Sequence, residues 1–388
     1  MADKKRIVVI FGGQSSEHEV SRVSAESVIK NINRDKFDVV MIGITKDGRW
    51  LKYDGPVEKL GSGEWQAIAE QRALSLSKVK VTDTSEKDRN ISAGTRSLAT
   101  VGTHAGDIFN AAGLDNGKES IDVVFPVLHG CNGEDGTIQG FLELAGIPYV
   151  GCGVLGSALG MDKAYAKIIF EKVDIPQGKY LVFSRKQIRQ DVQSVVAEVE
   201  KEIAYPCFVK PSNAGSSVGV SKAHDREELF GALEYAARFD RRILVEEFID
   251  GREVECAVLG NDDPIASTVG EIIPGNEFYD YHAKYIDNNS KAVIPANLPE
   301  STIQQIREYA VRAFKALDCS GLSRVDFFVH RETGEVYINE INTMPGFTSI
   351  SMYPQLWEAS GIPYGELIER LIDLAIERYE DNKREIEQ

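Results

Sequence analysis

Two alternating apolar stretches near the C-terminus, Arg324-Val325-Asp326-Phe327-Phe328 and Tyr337-Ile338-Asn339-Glu340-Ile341-Asn342, are separated by Glu332-Thr333-Gly334, which reads as a three-residue loop. No other segment limits the fold as tightly. A short loop ending in Gly favours a hairpin with that Gly in the left-handed region. Centring the register on Thr333 sets Asp326 opposite Glu340 and Arg324 opposite Asn342. Residues two apart on a strand share a face, so these four side chains converge on one surface. Two carboxylates and an amide oxygen form a hard, all-oxygen set of the kind magnesium takes beside nucleotide phosphates. Such a site invites phosphoryl chemistry, provided that the rest of the chain supplies a nucleotide and an acceptor.

The chain has 388 residues, enough for about two to three domains. An apolar fraction of 43% and a charged fraction of 27% fit a soluble globular protein. The net charge of −16 speaks against a nucleic-acid backbone or an anionic membrane as partner. No apolar run reaches membrane-spanning length. The opening MADKKRIVVIFGG reads as a first strand rather than a signal peptide, its apolar stretch being too short. Five scattered cysteines without a CxxC pair argue for a reducing compartment and against zinc or a disulfide framework, so the expected location is the cytoplasm.

The first half reads as α/β. Arg6 to Phe11 is a strand, Gly12-Gly13 a turn and Ser21 to Ile32 a helix, while Asp47-Gly48 marks a hairpin between Phe37–Thr45 and Arg49–Tyr53. Residues 81–119 are polar and read as a loop or insertion. A strand at Ile121 to Leu128 precedes a helix at Gly140 to Ala145. This order predicts a parallel sheet with functional loops at its carboxyl ends. Beyond it come a helix at Asp162 to Glu171, strands at Cys207 to Lys210 and Arg242 to Glu247, and a helix at Arg226 to Phe239. The last region reads as antiparallel, with apolar helical stripes at Ile303–Leu317 and Leu367–Ile376. Three domains follow from this: residues 1–150, 151–246 and 247–388.

A second strong signal is the segment Phe208-Val209-Lys210-Pro211-Ser212-Asn213-Ala214-Gly215-Ser216-Ser217-Val218-Gly219-Val220. A strand ending in lysine runs into small, donor-rich residues that can wrap phosphate oxygens. It is not a Walker loop, since no Gly-Lys-Ser/Thr opens a helix. Alone, it reads equally well as a surface turn. In Leu244 to Glu253, Glu246 could accept from an adenine amine, Glu247, Phe248 and Ile249 could flank the base, and Glu253 could bind ribose. As a free-standing motif this is weak, because acidic strand ends are usually just solvated.

Together with Lys163, these motifs and the RVDFF…INEINTMPGFTS segment resemble the ATP-grasp superfamily. Within it, GGQSSEHEVS at 12–21, HGCNGEDG at 129–136 and FYDYHAKY at 278–285 are similar to the D-alanine–D-alanine ligase family. The resemblance runs from about residue 6 to 376 and is weak only at 81–119. It implies a three-domain ATP-grasp architecture: an N-terminal parallel-sheet, Rossmann-like domain and two α+β ATP-binding domains. It also implies an activity. One D-alanine carboxylate attacks the γ-phosphate of ATP, and the amine of a second D-alanine attacks the resulting acyl phosphate to give a peptidoglycan precursor.

The resemblance further implies roles for single residues. Asp326, Glu340 and Asn342 hold two magnesium (or manganese) ions; Arg324 and the Gly346 N–H serve the transferred phosphate and the oxyanion. Lys163, Lys210 and Lys284 clamp phosphates, with Phe208 and Ser217 also at the nucleotide. Glu17 binds the first ammonium and links to Ser216 and Tyr285, His129 lines the first D-alanine site, and Ser351 with Met352 holds the second carboxylate. A homodimer is the implied assembly. Each role has a duller competitor: His129 could cap a turn, and Cys131 reads as an inert thiol. Lys284-Tyr285 favours an amine nucleophile over D-lactate, while His282 departs from the family's usual residue and D-serine stays open as acceptor. Other ATP-grasp carboxylate–amine ligases and a silent nucleotide-binding module are the remaining alternatives.

Overall fold

The computed structural model describes residues 4–82, 121–273 and 291–384. The expected loop or insertion at 81–119 therefore lies almost wholly outside the described residues, as do Lys284 and Tyr285. Three sheets make up the frame. The first has the order β3-β2-β1-β4, built from β1 (Lys5–Gly12), β2 (Phe37–Ile44), β3 (Trp50–Tyr53) and β4 (Val123–Val127). Strand β1 runs parallel to both β2 and β4. Its side chains alternate between two apolar layers. Ile7, Val9 and Phe11 meet the helices His18–Asn31 and Tyr364–Asp381, whereas Val8 and Ile10 meet the helix Thr137–Ala145. A strand covered on both faces reads as a continuous apolar run, which is how Ile7 to Phe11 reads. The Asp47-Gly48 hairpin forms as expected, with Gly48 at φ 87° and Ile44 paired with Trp50.

The second sheet, β5-β8-β6-β7, comprises β5 (Tyr180–Ser184), β6 (Cys207–Pro211), β7 (Ser221–Ala223) and β8 (Arg242–Glu247). It is antiparallel throughout, and the helices Arg185–Glu202 and Arg226–Ala236 pack on one face. The third, β11-β10-β9-β12-β13, is also antiparallel. Its strands are β9 (Gly251–Gly260), β10 (Ile265–Ile273), β11 (Lys291–Val293), β12 (Gly321–His330) and β13 (Val336–Asn342). The helix Glu300–Ala316 buries Ile306, Ala310 and Phe314 against it.

The hairpin β12–β13 differs from the reading of the sequence near its tip. His330 pairs with Glu335 across a four-residue loop, Gly334 sits at φ 72°, and Phe327 faces Ile338. One extra residue, Asn339, then bulges from β13 and restores Asp326 opposite Glu340 and Arg324 opposite Asn342. A bulge of this kind turns two successive side chains toward one side. Asn339 accordingly reaches Lys210, at 3.5 Å, while Glu340 reaches Lys163, at 3.3 Å.

Candidate active site

A cleft of about 1440 Å³ opens between the second and third sheets and is closed at one end by the first. It gathers Glu17, His129, Lys163, Phe208, Lys210, Ser216, Ser217, Glu246, Glu247, Phe248, Ile249, Glu253, Arg324, Glu340, Asn342, Gly346, Ser351 and Met352. Asp326 is the one described candidate that does not line it. Its carboxylate lies behind the wall, 2% exposed, and accepts two 2.7 Å bonds from Arg324 and one of 3.0 Å from the Asn342 amide.

The first sheet delivers Glu17 and His129 at the ends of β1 and β4, where loops of a parallel sheet gather. Glu17 is 6% exposed and accepts a short hydrogen bond from Ser216. Gly130, at φ 74°, makes the room: a Cβ there would lie 2.4 Å from the Glu17 carboxylate. His129 uses both ring nitrogens on the protein, one 3.0 Å from the Met344 carbonyl oxygen and the other 3.0 Å from Ser24 Oγ. Burial lowers its pKa, so it is neutral and offers the cleft a ring edge more than a charge.

The segment after β6 is held in strain. Ser216 and Ser217 take positive φ angles of 48° and 58°, a conformation that L-residues adopt only when their surroundings enforce it. Its base is anchored to the helix Lys163–Lys172. The Lys163 N–H donates to the Ser212 carbonyl oxygen at 2.9 Å, and Ser212 Oγ donates to Asp162 at 2.5 Å. Lys163 Nζ donates to the Ala214 carbonyl oxygen at 3.1 Å. Backbone strain and anchoring together present two hydroxyls and two ammonium groups to one end of the cleft.

Glu246, the expected adenine acceptor, lines the cleft and is also engaged by two lysines. It is 6% exposed and its carboxylate bridges Lys167 at 2.6 Å and Lys210 at 2.5 Å. Burial pushes its pKa up, but the two ammonium groups more than reverse that and hold it at about 2. Burial likewise acts to lower Lys210, which Glu246 raises above its ordinary value. Glu247 accepts from the Lys179 N–H at 2.7 Å, and Phe208 and Phe248 pack with ring centroids 6.3 Å apart and planes tilted by 39°, adding apolar surface to the cleft wall. At the far end, Ser351 Oγ accepts from the Thr348 N–H at 3.0 Å and precedes the helix Met352–Ala359, with Gly346 close by.

Three site residues escaped the sequence. Lys167 follows Lys163 by one helical turn, a spacing that puts both on one face. Glu134, in the HGCNGEDG motif, accepts from the Gly130 N–H at 2.7 Å, and burial and then Glu17 raise its pKa to about 8. Glu255 lies on β9, 2.9 Å from Arg324. Its signal was a lone glutamate in an apolar strand. Among the described residues no three His, Cys, Asp or Glu side chains gather as a metal cluster, so a cation site here would depend on the Asn342 amide.

Sheets arranged around such a cleft, with lysines from β6 and the helix Lys163–Lys172 facing carboxylates from the third sheet, define an ATP-grasp fold. A family model described as D-ala D-ala ligase N-terminus matches residues 6–152, and one described as D-ala D-ala ligase C-terminus matches 169–373. The D-alanine–D-alanine ligase of Acetivibrio thermocellus is 68% identical, with 100% of each chain covered. That of Ruminiclostridium cellulolyticum is 66% identical, with 98% of each covered. Among solved structures, the VanG D-Ala:D-Ser ligase from Enterococcus faecalis superposes with a TM-score of 0.77 at 40% identity, over 96% of this chain and 100% of that one. The D-alanine-D-alanine ligase from Coxiella burnetii gives 0.75 at 34%, over 98% and 96%. The chain belongs to the D-alanine–D-alanine ligase family.

Proposed function

We propose that this chain joins two molecules of D-alanine at the expense of ATP, through a D-alanyl phosphate. The observation that carries the reading is the Glu17–Ser216 hydrogen bond, made across 199 residues on the same cleft wall as Lys163, Lys210 and Arg324. An ammonium-binding carboxylate thereby stands beside a phosphate-binding loop.

In this reading Glu17 takes the first ammonium and orients its carboxylate toward the γ-phosphorus. Lys163, Lys210, Ser217 and Lys284 hold the phosphates, Phe208, Phe248 and Ile249 enclose the base, and Glu253 faces the ribose. The carboxylate oxygen bonds to phosphorus as ADP leaves. Ser351 and Met352 seat the second D-alanine, whose amine attacks the acyl carbon. Arg324 and the Gly346 N–H stabilise the oxyanion, which collapses with loss of phosphate. His129 shapes the first subsite, and Tyr285 extends the Glu17–Ser216 link. The all-oxygen face of Asp326, Glu340 and Asn342 fits magnesium or manganese, and bound cations would offset phosphate charge there. The parts fall to three domains, residues 1–150, 151–246 and 247–388.

A D-serine acceptor is the second reading, favoured by the likeness to the VanG ligase; the relatives at 68% and 66% identity weigh toward D-alanine. Product analysis with D-alanine, D-serine and D-lactate in competition separates them. D-alanyl-D-alanine should dominate, and a preponderance of the mixed peptide or ester would overturn the choice of acceptor. Tyr285→Phe should raise ester formation relative to peptide. A homodimer is supported by Leu144, 93% exposed, and by exposed Val154 and Leu155 on the helix packed beside it. The location we propose is the cytoplasm; among the described residues no helix is long and apolar enough to cross a membrane.

A further inference from the structure

Strand β9 carries Glu255 in a run where Val254, Cys256, Ala257 and Val258 are all buried, and Glu255 itself is 3% exposed. A charge in that position is costly unless it is paired. The sheet register makes the cost larger. Asp326 pairs with Glu255 on one side and with Glu340 on the other, so three carboxylates occupy one rung across β9, β12 and β13. Residues directly opposite share a face, and like charges there repel. Arg324, one rung further along, resolves the conflict. Its guanidinium turns back to chelate Asp326 at 2.7 Å while Nε stands 2.9 Å from Glu255. Burial works to lower the Arg324 pKa, and Asp326 and then Glu255 raise it well above its ordinary value.

We propose that Glu255 is a positioning residue: it holds Arg324 in the orientation needed at the transferred phosphate and the oxyanion, without touching substrate itself. The inference rests on the ligase reading given above. The reason two carboxylates are needed lies in Asp326. Asp326 belongs to the face assigned to a cation, so its grip on Arg324 weakens whenever that face is engaged. Glu255, on the neighbouring strand and not among the residues assigned to the cation, then remains as a second counter-charge for the guanidinium.

The test is a kinetic cycle on the full chain with Glu255→Gln, Arg324→Lys and the double variant, each compared with wild type for kcat, KM for ATP and thermal midpoint. Glu255→Gln should lower kcat by about 30-fold, equivalent to about 2 kcal/mol, and leave KM for ATP within about twofold. In the Arg324→Lys background the same change should cost less than about threefold further, because a residue acting through another loses its effect when that other is altered. Glu255→Asp, which keeps the charge, should recover part of the rate and serves as the test variant should Glu255→Gln not fold. Independent, multiplicative losses in the double variant would overturn the proposal, as would a wild-type kcat in Glu255→Gln. Failure of wild type itself to form dipeptide from D-alanine would instead remove the ligase reading.

Discussion

Glu246→Gln isolates the buried Lys167–Glu246–Lys210 cluster. The carboxyl stands at about 2 against an ordinary 4.5, and at 1.36 kcal/mol per pH unit that difference is worth about 3 kcal/mol. With Glu246 only 6% exposed, solvent screens little of it. The sign follows from a depressed carboxylate: the contribution is complete above about pH 4.5 and drains away as pH falls toward about 2. The variant also leaves two lysines without their shared counter-charge, so about 3 kcal/mol is a lower bound at neutral pH. Urea unfolding of wild type and variant from pH 7 to pH 3 reads this directly. A slope of about 1–3 kcal/mol per molar urea converts it to a midpoint gap of about 1–3 M at pH 7, narrowing as acid is added. A gap that stays constant with pH, or none at pH 7, would refute the argument that the ion pairs set this carboxyl.

Further outcomes follow from the same geometry. Glu340→Ala should reduce turnover by about 1000-fold or more, and a near-normal rate at saturating magnesium would remove it from the cation face. Gly43→Ala places a methyl group 2.2 Å from the Trp65 ring and should cost about 1–3 kcal/mol; an unchanged unfolding midpoint would contradict the packing. Cys131 is exposed, yet burial of its sulfur and then Asp135 raise its pKa above the usual 9.0, so iodoacetamide at pH 7 should label it more slowly than free cysteine. Faster labelling would show an activated thiol.

Local signals carried most of the fold into view. The Asp47-Gly48 turn, the apolar run of β1 and the stripes of the helices Glu300–Ala316 and Tyr364–Asp381 each depend on neighbours within a few residues, and each forms where periodicity puts it. The helices Val154–Met161, Arg185–Glu202 and Met352–Ala359 were not anticipated. The first is short and rich in Gly, and the second is largely polar, so neither shows a clear apolar stripe. The hairpin tip shows the limit of counting from a loop centre. The site register is right only because the Asn339 bulge compensates for a loop one residue longer than supposed. Glu255 and Lys167 act through contacts with other sheets and strands, which periodicity cannot reveal; their one trace is a charge in an apolar setting. Glu246 likewise has partners that its sequence neighbours do not show, since two lysines from other elements reach it in space.

Formation of an acyl phosphate from a D-alanine carboxylate in this cleft would leave an isotopic signature. Incubation of the purified chain with ATP and D-alanine carrying ¹⁸O in its carboxylate, followed by mass spectrometry of the released phosphate, tests it most directly. One labelled oxygen should pass to phosphate for each dipeptide formed, because the attacking carboxylate oxygen leaves with phosphorus. Unlabelled phosphate released alongside dipeptide, or ADP formed without D-alanine, would contradict it.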